Sequence, residues 1–386
     1  MKNKFLTVCL FLLVAMACSK QEKSESKELT IISNNSEEDI NQIKLEKLEF
    51  DIEDLIGRGE AVISNENIYF VDKLNSQLLK FDAEGNYLET PISKGEGPSE
   101  IQRFENFIIS GDFKYFLSGY TIYEFDQKNE LSNRTVLDFY HGSSMKEIES
   151  NPQPDDPGIY EVKYSNNEIF VRDGKFYSKI ETSNPKLNFL MHEKYYKKSA
   201  NYGEFDLKTG KILRVLGKKP PIYLKYKYIP HFDFYYHDLS DDEIYISFEP
   251  DSLIYIADKD FNFKEAFGVS GKGMIQEYIE VSELDDYDDY WKGNRARNGF
   301  YRQIKFIAED DLLFRTYNTG SKDRSSTEYE DNPLRMQIYK SKVLIGDVEI
   351  PNYFKVIGKI GEYFYADGSG GNPDNEEIVV YKFKLE

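Results

Sequence analysis

The sequence predicts an all-β fold, a ring of six small sheets forming a β-propeller, and three observations predict it. A unit of short strands recurs along the chain, with hairpin turns in which Asp follows an aromatic residue and Gly or Asn comes a few residues later. Tyr and Phe are abundant, 30 and 27 of 386 residues, and aromatic side chains favour pleated, half-buried surfaces. No long Ala- or Leu-rich helical stretch follows the first 18 residues. Strands at short, regular spacing with such turns indicate a sandwich, barrel or propeller. A fixed repeat of one small sheet selects the propeller, because a single blade cannot bury both faces without neighbours.

The chain opens with Lys2 and Lys4, an uncharged apolar run over 5–17, then Ala17 and Cys18. That order reads as a secretory signal peptide over residues 1–17. Its apolar run is shorter than the ~20 residues a membrane span needs. Ala15-Met16-Ala17-Cys18 resembles the lipobox of a bacterial lipoprotein signal, which implies a lipid on Cys18. Cleavage there removes Cys9, so Cys18 is the one cysteine left and no disulfide can form within the mature chain. Residues 18–40 are polar and rich in Ser, Glu and Lys, and are expected to be a flexible tether. Ser19-Lys20-Gln21-Glu22 loosely resembles the acidic export signal of some Bacteroidota lipoproteins. The expected location is therefore the outer membrane, with the periplasmic and cell-surface faces both open.

The mature part carries 47 basic and 68 acidic residues, a net charge of −21. Such a charge repels nucleic acid and anionic lipid headgroups, so nucleic acid is not an expected partner.

Residues 41–386 form the predicted propeller domain. Residues 43–50 alternate apolar and polar side chains and precede the first unit; they are expected to complete the last blade and close the ring, removing an exposed edge. The six units are placed at 61–92, 104–138, 167–217, 231–268, 301–350 and 354–386. The clearest copy has Ile68-Tyr69-Phe70-Val71-Asp72, then Leu78-Leu79-Lys80-Phe81-Asp82-Ala83-Glu84-Gly85-Asn86-Tyr87-Leu88. Gly and Asn tolerate the positive φ that such hairpins need, and Asp bonds its own backbone.

Phe81-Asp82-Ala83-Glu84-Gly85-Asn86-Tyr87-Leu88, running on to Ser93-Lys94-Gly95-Glu96-Gly97-Pro98-Ser99-Glu100, resembles the first blades of TolB-like six-bladed β-propeller lipoproteins of Bacteroidota. Tyr202-Gly203-Glu204-Phe205-Asp206 and Phe267-Gly268-Val269-Ser270-Gly271-Lys272-Gly273 resemble an uncharacterised branch of that group. The resemblance spans essentially the whole mature chain. It implies fold and location, and it offers no catalytic residues to carry over.

Gly95-Glu96-Gly97-Pro98 and Gly271-Lys272-Gly273-Met274 lack the Gly-Lys-Ser/Thr and the following helix of a phosphate cradle. They are expected to be crossovers between blades. In 231–237, period-two geometry places His231, Asp233, Tyr235 and His237 on one strand face, with Phe232, Phe234 and Tyr236 on the other. Imidazoles and a carboxylate beside the axis could hold a metal or move protons. Six residues of strand separate the two histidines by ~20 Å, so they cannot share one metal without ligands from elsewhere. A solvated polar face opposite a packed aromatic one is the simpler reading. Asp285, Asp286, Asp288 and Asp289 offer oxygen ligands that suit calcium, and together with Trp291 they could form a partner or glycan surface. They lack the spacing of a dedicated calcium loop, and an acidic run also suits a helix N-terminus. No cofactor is predicted beyond that calcium option. Three insertions, 141–165, 274–300 and 318–333, are the expected seat of specificity, because insertions in repeat folds collect on one face.

No Gly-x-Ser-x-Gly, His-Glu-x-x-His or Cys-His arrangement occurs. The expected function is a membrane-anchored, non-enzymatic binding or scaffold propeller of the cell envelope, with an envelope protein, peptide or glycan as partner. The alternative is a propeller hydrolase or lyase acting on sugars or lactones. It needs His231, Asp233 or His237 to meet acids from other blades around one pocket.

Overall fold

The computed structural model describes residues 29–33, 36–52, 56–140, 144–182, 184–190, 194–370 and 377–385. The predicted signal peptide, Cys18 and the tether up to residue 28 lie outside them. Six antiparallel sheets follow one another in sequence, each running from an inner to an outer strand. Their inner strands are Gly59–Ser64, Asn106–Ser110, Ile169–Arg172, Tyr235–Leu239, Gly299–Ile307 and Lys355–Ile360. The sheets are blades of a propeller, and they begin and end within a few residues of the predicted units. Glu46–Lys47 pairs antiparallel with Val380–Phe383 as the fourth strand of the sixth blade.

The tether reading needs correction at its C-terminal end. Thr30–Ile31 adds a parallel strand to the outer edge of the fourth blade, and Ser36–Ile40 adds one to the fifth. An outer strand presents a free row of N–H and C=O groups, which any extended segment can satisfy. Gly346 makes room on the fifth blade, since a Cβ there would lie 2.9 Å from the Cβ of Ile40. Thr30–Ile31, Ser36–Ile40 and Glu46–Lys47 therefore lie on three successive outer rims.

The hairpin turns follow the repeated Asp. Asp82 accepts from the backbone of Glu84 and Asn86, Asp126 from Lys128 and Glu130, and Asp258 from Asp260 and Asn262. In these first, second and fourth blades, and at Asp206 in the third, a register shift precedes the Asp and a positive-φ residue follows it: Gly85, Asn129, Phe261 and, in the third, Gly210. This is a type I turn with a bulge, which needs one left-handed residue. At Gly210 no side chain fits, because a Cβ would lie 1.9 Å from the carbonyl oxygen of Val136 in the preceding blade. Phe261 holds the same conformation at φ +60, a cost of roughly 1–2 kcal/mol. Its ring packs 4.2 Å from that of Tyr202, between the third and fourth blades, which offsets the strain.

The core lies between blades. Tyr69, Val71 and Leu78 of the first blade meet Phe116 and Phe125 of the second. Tyr245, Ile254 and Ile256 of the fourth meet Ile304, Leu313 and Tyr339 of the fifth. Central strands such as Ile244–Phe248 and Leu312–Thr319 are buried along their whole length, because both faces have a neighbour. Antiparallel alternation puts the blade-to-blade connections and the links between second and third strands on one face, where the inner strands begin. The insertions 141–165, 274–300 and 318–333 all fall on this loop face. Two more that the sequence did not mark, 182–201 and 217–234, join them there.

Candidate functional site at the mouth of the axial channel

The six inner strands enclose an axial channel. A cavity of about 300 Å³ is walled by one apolar residue or more from every blade, including Ile63, Ile109, Phe170, Leu239, Ile304 and Ile357. Toward the loop face it adjoins a polar mouth of about 360 Å³, lined by Glu60, Asn106, Tyr164, Glu168, Gln303 and Lys355 among others. Glu60, Asn106, Glu168 and Lys355 sit at or next to the start of their inner strands, where each blade turns into the axis, while Gln303 lies at a register shift midway along Gly299–Ile307.

The third blade builds most of the mouth. Its inner edge is split: Glu161–Val162 and Ile169–Arg172 both pair with Lys175–Glu181, and residues 163–168 bulge out between them. Asn166 takes φ +52 within the bulge. Buried Lys163 pairs with Glu181 at 3.0 Å, and the other Glu181 oxygen accepts the Tyr164 N–H at 3.0 Å. Lys179, fully buried, donates to the carbonyls of Asn166 and Tyr235 and pairs with Glu168 at 2.9 Å. The bulge is thereby held from several points, while the Tyr164 ring stands 96% exposed.

Charges at the mouth are paired within the protein. Glu60 lies 2.8 Å from Lys73 and 3.0 Å from Lys355, and these two ammonium groups hold its carboxyl far below the usual range. Burial opposes the charge on Glu168, but Lys179 and His237 outweigh it and hold this carboxyl low as well. Burial pushes the Lys179 ammonium down to about 8, with Glu168 acting against the shift. Buried Asp367 is pushed up to about 6 by desolvation and the neighbouring Glu60.

The predicted site residues separate. Pro230–Phe232 forms a 3-10 turn, and the inner strand starts only at Tyr235. The single polar strand face expected for His231, Asp233, Tyr235 and His237 is therefore incorrect; Pro230, with its fixed φ, opens the turn instead. His231 is buried under the loops. Its Nε2–H donates to the carbonyl of Tyr287 at 2.8 Å, and Nδ1 accepts from Asn294 at 2.9 Å. Burial lowers its pKa to about 4, so it stays neutral at pH 7. Asp233 pairs with buried Lys219, whose ammonium lies 5.2–6.0 Å from the rings of Tyr195, Tyr196, Tyr223 and Tyr235. The Tyr235 hydroxyl donates to the carbonyl of Asn201. His237 alone of the four reaches the channel wall and an acid from another blade: Nδ1 is 3.3 Å from Glu168 Oε2, and also 3.3 Å from the Tyr202 hydroxyl.

Asp285, Asp286, Asp288 and Asp289 lie exposed on the helix Leu284–Arg297, two of them in its first turn. Trp291 turns inward onto His231, 5.2 Å between ring centres. Among the described residues no three His, Cys, Asp or Glu side chains gather as a metal site. The two Gly-rich segments are crossovers between blades; Gly271 and Lys272 give their N–H groups to the hydroxyls of Tyr301 and Tyr317. Sequence reasoning did not single out Glu60, Tyr164, Glu168, Gln303 or Lys355. The one sequence signal, for Glu60, Glu168 and Lys355, is a polar residue at or near the start of an apolar inner strand, as in Glu168-Ile169-Phe170 and Lys355-Val356-Ile357.

No family model matches the chain, and no curated protein matches it in sequence. Among solved structures, a member of the DUF4221 family from Bacteroides vulgatus is similar, with a TM-score of 0.65 and 14% identity, over 91% of this chain and 99% of that one. A putative exported protein from Bacteroides fragilis is similar at a TM-score of 0.54 and 13% identity, over 92% of this chain and all of the other. At these identities the likeness is one of fold.

Proposed function

We propose that this propeller is a non-enzymatic binding protein of the bacterial cell envelope, held at the outer membrane by a lipid on Cys18, whose ligand seats at the mouth of the axial channel. One observation carries the reading: polar side chains from five blades converge on the mouth, and its charged groups are already paired with one another. A concave site with a few convergent polar groups suits binding. The lipid follows from the signal at residues 1–17. Fatty-acid labelling that persists in Cys18→Ser would overturn it.

Gln303 lines both the mouth and the inner cavity, and it is half-buried. Gln303→Trp is expected to fill the mouth without disturbing the cores between blades. With the full chain as bait in solubilised envelopes, the variant should lose roughly tenfold or more of the ligand that wild type retains. Equal retention by both would overturn the mouth as the site.

The contact between His237 and Glu168 favours one second reading, a hydrolase or lyase in which a carboxylate orients a histidine base. Turnover of a lactone or glycoside that disappears in His237→Ala would replace the binding role.

A further inference from the structure

We infer that the ligand of the channel mouth is a neutral sugar, free or at the end of a glycan, stacked on Tyr164. This rests on the binding reading above and names its ligand class.

Four observations converge. First, Tyr164 is an aromatic ring left almost wholly in water, 96% exposed, on a backbone that is held in place. Its own N–H is fixed by Glu181, and its neighbours Lys163 and Asn166 are bound to Glu181 and Lys179. A fixed, exposed aromatic ring offers a flat apolar platform at small entropic cost to a binding partner. The C–H face of a pyranose ring is a complement to such a platform.

Second, the mouth's charged groups are already engaged within the protein. Glu60 is shared by Lys73 and Lys355, and Glu168 by Lys179 and His237. A charged ligand would compete with these contacts for its partner; an uncharged one would not.

Third, hydrogen-bonding capacity is left over in amide groups. The side chains of Asn106 and Gln303 line the mouth and make no hydrogen bond among the described residues. Amides present a donor and an acceptor together, which matches vicinal hydroxyls.

Fourth, Asn167, also in the wall of the mouth, carries a buried donor without a partner. Its Oδ1 accepts from the Lys179 N–H and from Ser178 Oγ, both at 3.2 Å, which fixes the amide and leaves Nδ2 unpaired. An unpaired buried donor costs free energy, and a ligand hydroxyl that reaches it would recover that loss.

The test titrates the full chain, in a detergent without a sugar headgroup, with glucose, galactose, mannose and xylose and with their di- to hexasaccharides. Heat of binding is the readout. The expected result is saturable binding of at least one neutral sugar. Tyr164→Ala should weaken it roughly tenfold, and Tyr164→Phe should keep it, because stacking needs the ring and not the hydroxyl. Binding of the monosaccharide alone identifies a free sugar as the ligand; a gain with chain length identifies a glycan. The ring is exposed, so Tyr164→Ala should leave the unfolding transition in place, and that is checked on the same sample. No sugar binding, or binding that Tyr164→Ala leaves intact, would overturn the inference. A non-sugar ligand lost in Gln303→Trp would overturn the sugar assignment and leave the mouth as the binding site.

Discussion

Arg295→Ala is expected to destabilise the domain by about 3–5 kcal/mol, the usual effect of removing one partner of a buried ion pair. Arg295 projects from the helix Leu284–Arg297 and grips Glu249, which is fully buried just beyond a central strand of the fourth blade. The two contacts are 2.5 and 3.1 Å. The same guanidinium donates to the carbonyl of His231 at 2.9 Å and lies 3.7 Å from the centre of the Phe300 ring. Without it, Glu249 keeps only the Tyr236 hydroxyl, at 3.2 Å, as a side-chain donor among the described residues. Burial already raises the pKa of Glu249, and losing Arg295 raises it further. A carboxyl with a raised pKa binds more protons folded than unfolded, so its stabilising effect is fullest at low pH and fades as pH rises. The deficit of the variant should therefore shrink as pH falls from 7 toward 4.5. Urea unfolding of both chains across that range is the measurement.

Asp233→Ala is expected to cost a similar amount, about 3–5 kcal/mol, with the opposite dependence on pH. It strands Lys219, 1% exposed, among four tyrosine rings. Their faces attract a cation, but they cannot replace a carboxylate. Desolvation lowers the pKa of Lys219 even with Asp233 present, and removal of Asp233 lowers it further. The unfolded chain then binds more protons than the folded one between the two pKa values, so stability rises with pH there. The deficit should narrow as pH rises toward 10. Adding Lys219→Met to Asp233→Ala should recover most of the loss, because both buried charges are then gone. Equal deficits in the single and double variants would show that packing, not charge, is what Asp233 supplies.

Blade boundaries were legible in the sequence because they depend on local chemistry. Asp82, Asp126 and Asp258 make their turn within four residues, and alternating aromatic and aliphatic side chains mark the strands between. The strands Thr30–Ile31 and Ser36–Ile40 were not legible. Ser36-Glu37-Glu38-Asp39-Ile40 has no alternating apolar face, and its pairing is set by an outer edge some 300 residues away in sequence. Residues 231–237 misled for a related reason. Their alternation matched a strand, but Pro230 and the loops above the fourth blade folded the first half into a turn. The mouth itself was hidden because each of its residues is a single polar position, at a strand start or, for Gln303, at a register shift midway along one. Ring closure alone brings Glu60, Glu168, Gln303 and Lys355 together from four different blades, and Tyr164 reaches them through a bulge with no sequence mark beyond Asn166-Asn167.

Backbone hydrogen exchange in the presence of the ligand retained by wild type is the most direct test of where this propeller works. Slower exchange confined to residues 163–168 and to the strand starts around Glu60, Asn106 and Lys355 is the expected result. Protection over the acidic helix Leu284–Arg297 or the outer rims, with the mouth unchanged, would contradict it.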